Sequence, residues 1–348
     1  MRKWLGIAGL LACGLLIAAC IATWAAWRTL NSPLAIGEEP VVLDVPPGSS
    51  LIKLGDELEA RGMLKHSRML AWYARLTGDA TRIRAGEYAI RPGTTPIGLL
   101  EKLVSGDVIM HQLTIVEGWR FADLLRVVRA HPAITATDLD EEGIMAALGK
   151  PGVHPEGQFL PDTYTFPRGT RDIDLLGWAH RALEAKLDDA WARRSAGVSV
   201  STPYEALILA SIIEKETALD RERRLISGVF HERLRRGMRL ETDPTVIYGL
   251  GEVFDGDLRR RDLAADTPYN TYTRHGLPPT PIALPSAASI DAAVDPEQSG
   301  AIFFVATGLP DGSHHFSATL EEHNRAVRQY LARLRERRAA EQAQESND

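Results

Sequence analysis

The pattern of apolar and polar positions divides the chain into an apolar N-terminal run and a long mixed region. No charged residue occurs between Trp4 and Trp27, although two basic residues precede this run and one follows it. A helix of that length rises about 36 Å, which exceeds the ~30 Å hydrocarbon core of a bilayer. The pattern predicts a transmembrane anchor at 1–30, with tryptophans near both interfaces.

Two alternatives to an anchor remain open for this run. A cleaved signal peptide has an apolar core of only ~7–15 residues, so the length favours retention. The sequence from Leu16 to Cys20 resembles a lipobox, at which a bacterial lipoprotein is cut and acylated on cysteine. The apolar run continues seven residues beyond Cys20, which favours the anchor. The basic N-terminal end predicts a cytoplasmic N-terminus, with the rest of the chain facing outward.

A polar, proline-containing linker is predicted at 31–40, followed by a small module at 41–109. Hydrophobic periodicity and turn residues predict an order of strand, helix, helix, strand and helix. The predicted elements are a strand at 41–45, helices at 51–61 and 67–76, a strand at 86–90 and a helix at 95–104.

A larger domain is predicted at 110–332, and a charged tail at 333–348. The larger domain starts with a strand at 110–116. A helix of this domain begins near 203, where Thr202 and Glu205 form a capping box. The stretch 266–285 contains five of the chain's 20 prolines, and so long a loop is usually functional. The fold class is therefore α+β: an N-terminal transmembrane helix, a small βααβ module and a larger mixed α/β domain.

Composition excludes some functions. The chain has 348 residues, of which 45% are hydrophobic and 25% charged, so it is long enough for two globular domains. A net charge of −6 gives no basis for binding nucleic acid, which requires clustered cations. Both cysteines, Cys13 and Cys20, lie in the apolar run, so the exported part has no disulfide and no cysteine metal ligand.

Two carboxylates stand at the end of the apolar helix that begins near 203. At about 100° per residue, Glu216 lies on the same side as Leu209, Ile212 and Ile213, whereas Glu214 points away. An apolar environment raises the pKa of a carboxyl group, as a general acid at neutral pH requires. The alternative is that both residues are solvated charges at a helix end.

Other catalytic motifs are incomplete. His231-Glu232 begins like the zinc-protease motif HExxH, but Arg235 replaces its second histidine. Ser50 and Lys53 have the SxxK spacing of penicillin-binding enzymes, but the other motifs of that class are missing and a helix-capping serine explains Ser50 better.

Several short motifs follow one another in a specific order. They are Val116-Glu117-Gly118, Glu156-Gly157-Gln158-Phe159-Leu160-Pro161-Asp162-Thr163-Tyr164, Ala210-Ser211-Ile212-Ile213-Glu214-Lys215-Glu216-Thr217, Met238-Arg239-Leu240-Glu241-Thr242-Asp243-Pro244-Thr245-Val246-Ile247-Tyr248-Gly249, Pro268-Tyr269-Asn270-Thr271-Tyr272-Thr273, Gly276-Leu277-Pro278-Pro279, and His314-His315-Phe316 with His323-Asn324. Together they resemble the YceG-like family of endolytic murein transglycosylases. The chain has Thr280-Pro281-Ile282 where the family usually has Gly-x-Ile, a minor departure.

The resemblance implies a membrane-anchored lytic transglycosylase that cuts between MurNAc and GlcNAc within nascent peptidoglycan strands. Glu216 matches the family's catalytic residue, which serves first as acid and then as base, and the module at 41–109 resembles a LysM-like glycan-binding subdomain. No metal or other cofactor is implied. Candidate substrate-binding residues within the motifs are Gln158, Thr242, Asp243, Tyr269, Asn270, Tyr272 and His314.

The implied partners are peptidoglycan glycan strands, membrane lipid around the N-terminal helix and, as a further candidate, peptidoglycan synthases. The implied location is the inner membrane, with the catalytic domain on its outer side. Two alternative functions remain open: a non-catalytic glycan-binding scaffold for cell-wall synthases, and a hydrolytic muramidase with the same bond specificity.

Overall fold

The N-terminal run forms one long helix in the computed structural model, which describes residues 2–345. Helix α1 spans Arg2–Asn31. Within the described residues, its segment Leu10–Asn31 is the one helical stretch long and apolar enough to cross a membrane. The side chain of Trp4, predicted to lie at one interface, is outside the described part, whereas the Trp27 side chain is exposed. The structure therefore fits a single-pass membrane protein.

The N-terminal compact unit comprises residues 1–111 and 165–170. The predicted order of its elements is confirmed, and strands β1 and β2 pair antiparallel with Val41 opposite Ile90. Ser50 caps α2 by accepting a hydrogen bond from the Lys53 N–H at 3.3 Å, as predicted. The likeness to LysM stays a prediction. The elements are β1 (Val41–Val45), α2 (Leu51–Ala60), α3 (Ser67–Thr77), β2 (Gly86–Ile90) and α4 (Pro96–Ser105).

The stretch predicted as a linker, 31–40, is attached to this unit rather than free. The Leu34 N–H donates to the Thr94 carbonyl at 2.8 Å, and the Ala35 N–H donates to the Met63 carbonyl at 2.9 Å. Leu30 and Leu34 are buried in the same apolar core as the module's helices. The polar and proline residues disfavour regular structure here, and the two backbone hydrogen bonds together with the buried Leu34 attach the segment to the unit.

The second compact unit comprises residues 112–164 and 171–348. Its first strand is shorter than predicted, because the chain turns at Val116 and Gly118 has a positive φ of 73°. The elements from here on are β3 (Met110–Thr114), α5 (Phe121–Ala130), β4 (Ile134–Thr135), α6 (Glu141–Ala147), β5 (Thr163–Pro167), β6 (Thr170–Arg171), α7 (Asp172–Ala192), α8 (Pro203–Glu216), α9 (Asp220–Arg235), α10 (Asp243–Leu250), α11 (Arg260–Ala264), α12 (Ala287–Val294), β7 (Phe303–Ala306), β8 (His314–Ser317) and α13 (Leu320–Glu345).

Helix α8 is the central helix of this unit. Every residue from Ala206 to Ile213 is buried, and helices α7, α9, α10 and α12 pack around it. Its N-terminus is capped as predicted, because Thr202 Oγ1 accepts from the Glu205 N–H at 3.1 Å. The Glu205 carboxylate accepts from the N–H of Ser201, one residue before the expected partner. The buried interior fixes the position of the two carboxylates at its end.

The C-terminal region differs from its prediction in one respect. Strands β7 and β8 form an antiparallel hairpin, with Phe304 opposite Phe316. The stretch predicted as a charged tail from residue 333 is helical as far as Glu345, as part of the helix that begins at Leu320, because its arginine, glutamate, alanine and glutamine residues are strong helix formers. Residues 346–348 of the predicted tail lie outside the described residues.

Candidate active site

Glu216 is the last residue of α8, and its carboxyl group has one short hydrogen bond. The Thr242 hydroxyl donates to Glu216 Oε1. Thr242 itself is buried, and it precedes α10, so the contact joins the C-terminal end of α8 to the N-terminal end of α10. The carboxyl group is thereby held in one position.

A network of threonines holds Thr242 in place. The Thr242 N–H donates to Thr271 Oγ1 at 3.0 Å, and Thr245 Oγ1 donates to the Thr242 carbonyl at 2.8 Å. Glu241, just before Thr242, has a positive φ of 53°, which is uncommon for a residue other than glycine. The chain therefore adopts a costly turn at the point where it brings a hydroxyl to Glu216.

The surroundings of Glu216 favour its neutral form. The pKa of Glu216 is raised to about 7: burial is the main cause, the hydrogen bond from Thr242 opposes the rise, and repulsion from the Asp243 carboxylate adds to it. The C-terminal end of a helix also disfavours a negative charge. Near pH 7 the carboxyl group is divided between its protonated and ionised forms, so it can both donate and accept a proton.

Two further predicted residues adjoin Glu216. The Tyr272 hydroxyl donates to Asp243 Oδ1 at 2.6 Å, and the Arg239 guanidinium donates to the Tyr272 carbonyl. Burial, together with the negative charges of Asp243 and Glu216, raises the pKa of Tyr272 well above its usual value. Tyr272 therefore stays a neutral hydrogen-bond donor beside the carboxyl group. The structure thus brings together Glu216, Thr242, Asp243 and Tyr272.

Glu214 has a different environment, although it is only two residues away. Its side chain is 7% exposed, and Oε2 accepts from the Ser286 N–H at 2.9 Å, the Ser286 hydroxyl at 2.5 Å and the Ser289 hydroxyl at 2.7 Å. Arg223 lies 3.8 Å from its other oxygen. The alternative of a solvated charge is wrong for Glu214, because the carboxylate fastens α8 to the start of α12.

Tyr269 and Asn270 lie in the long loop that the sequence predicted at 266–285. The Tyr269 hydroxyl pairs with Thr280 Oγ1 at 2.8 Å. Asn270 is 1% exposed, its amide donates to the carbonyls of 262, 263 and 265, and its oxygen accepts from the Tyr272 N–H at 2.8 Å. In this structure Asn270 organises the loop that carries Tyr272, and a direct glycan contact would require it to move.

Gln158 is buried and makes no contact with the Glu216 cluster. Its carbonyl accepts from His180 Nδ1 at 2.8 Å, while its side-chain nitrogen is buried without a hydrogen-bond partner among the described residues. The neighbouring Glu156 was missed by the sequence reasoning. It accepts from the Phe121 N–H at 2.9 Å, and burial raises its pKa to about 7. The only signal was an acidic residue in a motif otherwise rich in buried positions.

His314 lies on β8 and contacts α9. Its Nδ1 is 2.7 Å from Glu222 Oε2, and its N–H donates to Glu222 Oε1 at 3.0 Å. His314 and His315 are successive residues of this strand and point to opposite faces, since His315 is exposed whereas His314 is partly buried. A contact between His314 and glycan stays a prediction.

The structure gives no support to a zinc site at the incomplete HExxH sequence. His231 Nδ1 accepts from the Ser199 N–H at 2.8 Å, and Nε2 pairs with the Ala293 carbonyl at 2.9 Å. Across residues 2–345, no group of three or more His, Cys, Asp or Glu side chains could hold a metal ion. His231 is therefore a buried structural residue.

The fold and the site together define a class of protein: a mixed α and β protein with an apolar N-terminal helix and, at the end of a core helix, a carboxyl group whose pKa is raised. The chain belongs to the YceG-like family, whose model matches residues 43–329. This confirms the family resemblance seen in the sequence.

Two relatives from bacteria carry a functional name. A Bacillus subtilis protein named endolytic murein transglycosylase is 29% identical over 89% of this chain and 90% of its own length. A Streptococcus pneumoniae protein of the same name is 27% identical over 84% of this chain and 58% of its own length. A YceG-like protein of Listeria monocytogenes, whose crystal structure has been solved, is 29% identical over 83% of this chain and 99% of that chain, with a TM-score of 0.48.

Proposed function

We propose that this chain is an endolytic lytic transglycosylase of peptidoglycan, a lyase in which Glu216 is the single acid and base. The substrate would be the β-1,4 bond between MurNAc and GlcNAc within nascent strands. The observation that carries the proposal is the pKa of Glu216, which burial raises to about 7. The name of the relatives in Bacillus subtilis and Streptococcus pneumoniae supports murein as the substrate.

One carboxyl group is enough for this reaction. Protonated Glu216 donates its proton to the glycosidic oxygen, and the bond from C1 of MurNAc to that oxygen breaks. The C6 hydroxyl of the same sugar then attacks C1 and loses its proton to the Glu216 carboxylate. The products are a 1,6-anhydro ring and a free hydroxyl on GlcNAc. No water enters, so the second carboxylate of ordinary glycosidases is not required.

The neighbours of Glu216 suit both steps. The hydroxyl of Thr242 stabilises the carboxylate that forms after the first proton transfer. The exposed carboxylate of Asp243 lies beside Glu216. This carboxylate can stabilise the positive charge that develops at C1 of the sugar. A groove of about 670 Å³ with a mixed polar and apolar surface adjoins the end of α8, and its lining includes Glu117, Glu214 and Lys215. Such a groove offers a polysaccharide many hydrogen-bonding groups.

The cellular location follows from α1 and from the substrate. Helix α1 would anchor the chain in the inner membrane with its N-terminus in the cytoplasm. Peptidoglycan lies outside that membrane, so the second compact unit would act on the outer side. Glycan strands and membrane lipid are the proposed partners, and peptidoglycan synthases are a further candidate.

The product of digestion tests this function. Purified peptidoglycan incubated with the full chain should yield 1,6-anhydroMurNAc ends, measured by mass spectrometry. Glu216→Gln should fold normally and lower the rate by about 10²–10⁴-fold, because the amide cannot donate the required proton. Glu252→Gln is the matched control, since it removes an exposed carboxylate of the same size from the second unit and should retain full activity.

The same measurement separates the alternative functions. A hydrolytic muramidase would give products with reducing ends, whose mass exceeds that of the anhydro products by one water molecule. A glycan-binding scaffold would release no product, and wild type and Glu216→Gln would be indistinguishable. Full activity of Glu216→Gln would refute the proposed role of this residue.

A further inference from the structure

Helix α3 has an outward face that is both apolar and basic. Arg68, Trp72, Arg75 and Leu76 are all exposed and follow the spacing of one helical face. Trp72 is 66% exposed and Leu76 is 75% exposed. Single exposed apolar residues are ordinary, but a contiguous group bordered by cations indicates an interaction surface.

This face adjoins the outer end of the membrane-spanning helix. A groove of about 500 Å³ between α1 and α3 has an almost entirely apolar surface. Helix α1 contributes Trp27 and Leu30, and α3 contributes Trp72 and Leu76. Because Leu30 belongs to the core of the N-terminal unit, the module is held at a fixed position relative to the last turns of α1.

The depth of α1 in a bilayer then determines the depth of α3. About 20 helical residues cross the hydrocarbon core, so in the segment Leu10–Asn31 the final turns reach the interface. The groove begins at Thr23 and ends at Asn31, a rise of about 12 Å along the helix. Trp72 and Leu76 therefore lie beside the part of α1 that occupies the boundary between acyl chains and headgroups.

The charges on this face suit lipid phosphates. No ion pair engages Arg68 or Arg75 within the part of the chain that the structure describes. Long basic side chains extend from an apolar surface to bring their charge to the headgroup region. Tryptophan is likewise favoured at this depth, because its ring is apolar and its N–H can reach a polar partner.

We infer that the outward face of α3 is a second membrane contact, which lies in the interface of the outer leaflet beside α1. Trp72 and Leu76 enter the boundary between headgroups and acyl chains, and Arg68 and Arg75 contact lipid phosphates. The module is then fixed against the membrane by two elements and cannot swing freely on the end of α1. The inference rests on α1 as the proposed anchor and is independent of the chemistry at Glu216.

Spin-label accessibility tests this contact in the full chain. Cys13→Ala and Cys20→Ala remove the native thiols, and Leu76→Cys then carries the only nitroxide label in protein reconstituted into phosphatidylglycerol-containing vesicles. We expect oxygen, which concentrates in lipid, to relax this label several-fold more than a water-soluble nickel complex. Val253→Cys is the control, because Val253 is 83% exposed and lies outside this face, and its label should show the reverse preference.

Three outcomes have distinct meanings. A label at 76 that favours the nickel complex, in protein that floats with the vesicles, would overturn the contact while leaving the anchor intact. Spin–spin broadening that disappears on dilution with unlabelled protein would assign the face to a second copy and also overturn it. In the supporting case, Arg68→Glu combined with Arg75→Glu should raise nickel accessibility at 76 several-fold, because anionic phosphates repel the new carboxylates.

Discussion

Two carboxyl groups separated by one residue on α8 have opposite roles in the structure. The Glu214 carboxylate has three hydrogen-bond donors on one oxygen and Arg223 near the other. The Glu216 carboxyl has a single donor and a repelling neighbour, Asp243. A buried carboxyl group with few donors holds its proton to a higher pH than a solvated one does. The difference in hydrogen-bond donors between the two groups favours Glu216 as the acid. Helical periodicity in the sequence does not show these donors.

The hydrogen bond from Thr242 should set the pH dependence of the reaction. The acid must be protonated in the free enzyme, so kcat/KM should fall as pH rises through about 7, the pKa of Glu216. Thr242→Val keeps the side-chain shape and removes the donor that lowers this pKa, so the alkaline limb should move to higher pH. Thr242→Ser retains a hydroxyl and should behave like wild type. An alkaline limb that does not move in Thr242→Val would contradict the assigned contact.

Glu156 should make the protein less stable at high pH. Its pKa is about 7 in the folded chain and about 4.3 in an unfolded chain, so the folded state binds the proton more tightly. The contribution of Glu156 to the free energy of unfolding is fully present below pH 4, and it falls by about 3 kcal/mol as the pH rises to 8. Glu156→Gln cannot ionise and should flatten this part of the profile, measured as thermal midpoints from pH 5 to 8. If the thermal midpoints of wild type and variant changed with pH in parallel, Glu156 would be excluded as the cause of the loss of stability at high pH.

At the scale of elements, the loop that follows α11 depends on one amide. Asn270 donates to three backbone carbonyls in partly buried hydrogen bonds, and Asn270→Ala would remove this donor from all three. We expect this variant to lose about 2 kcal/mol of stability and some activity, because Tyr272 is held by the same side chain. Arg274→Ala is the control in the same loop, since its ion pair with Asp266 is exposed and such pairs contribute little to stability. Equal thermal midpoints for the two variants would refute this role of Asn270.

Local elements were predictable because their signals are local. Helix α4 is fixed by Thr95 as cap and Gly106 after its end, and α8 by its apolar run. The two-residue strands β4 and β6 carry too few positions to show a period. The partner of Glu216 is Thr242, 26 residues further along the chain, and a contact that depends on how α10 packs is not visible in a sequence pattern. Glu156 was missed for the same reason, since its burial is set by tertiary packing.

At the scale of the whole molecule, the anchor and the first unit form one continuous body. The segment after α1 makes backbone hydrogen bonds through Leu34 and Ala35 to the module. A flexible linker would allow the module to sample many orientations, whereas this connection holds it near the end of α1. The amphipathic face of α3 is significant for this reason, because a fixed module presents the same residues to the membrane at all times.

Cys20 is either a lipidation site or part of a membrane-spanning helix, and the two alternatives predict different mature proteins. Helix α1 continues through Cys20 to Asn31, and processing at a lipobox would remove everything before the cysteine. We expect the mature chain to keep its N-terminus and to carry no lipid. Cys20→Ser should then change the mass of the intact protein only by the exchange of sulfur for oxygen, and it should leave membrane retention unchanged. Cys13→Ser is the matched control. A wild-type chain that lacks its first 19 residues and takes up labelled fatty acid, both lost in Cys20→Ser, would establish a lipoprotein and refute the spanning anchor.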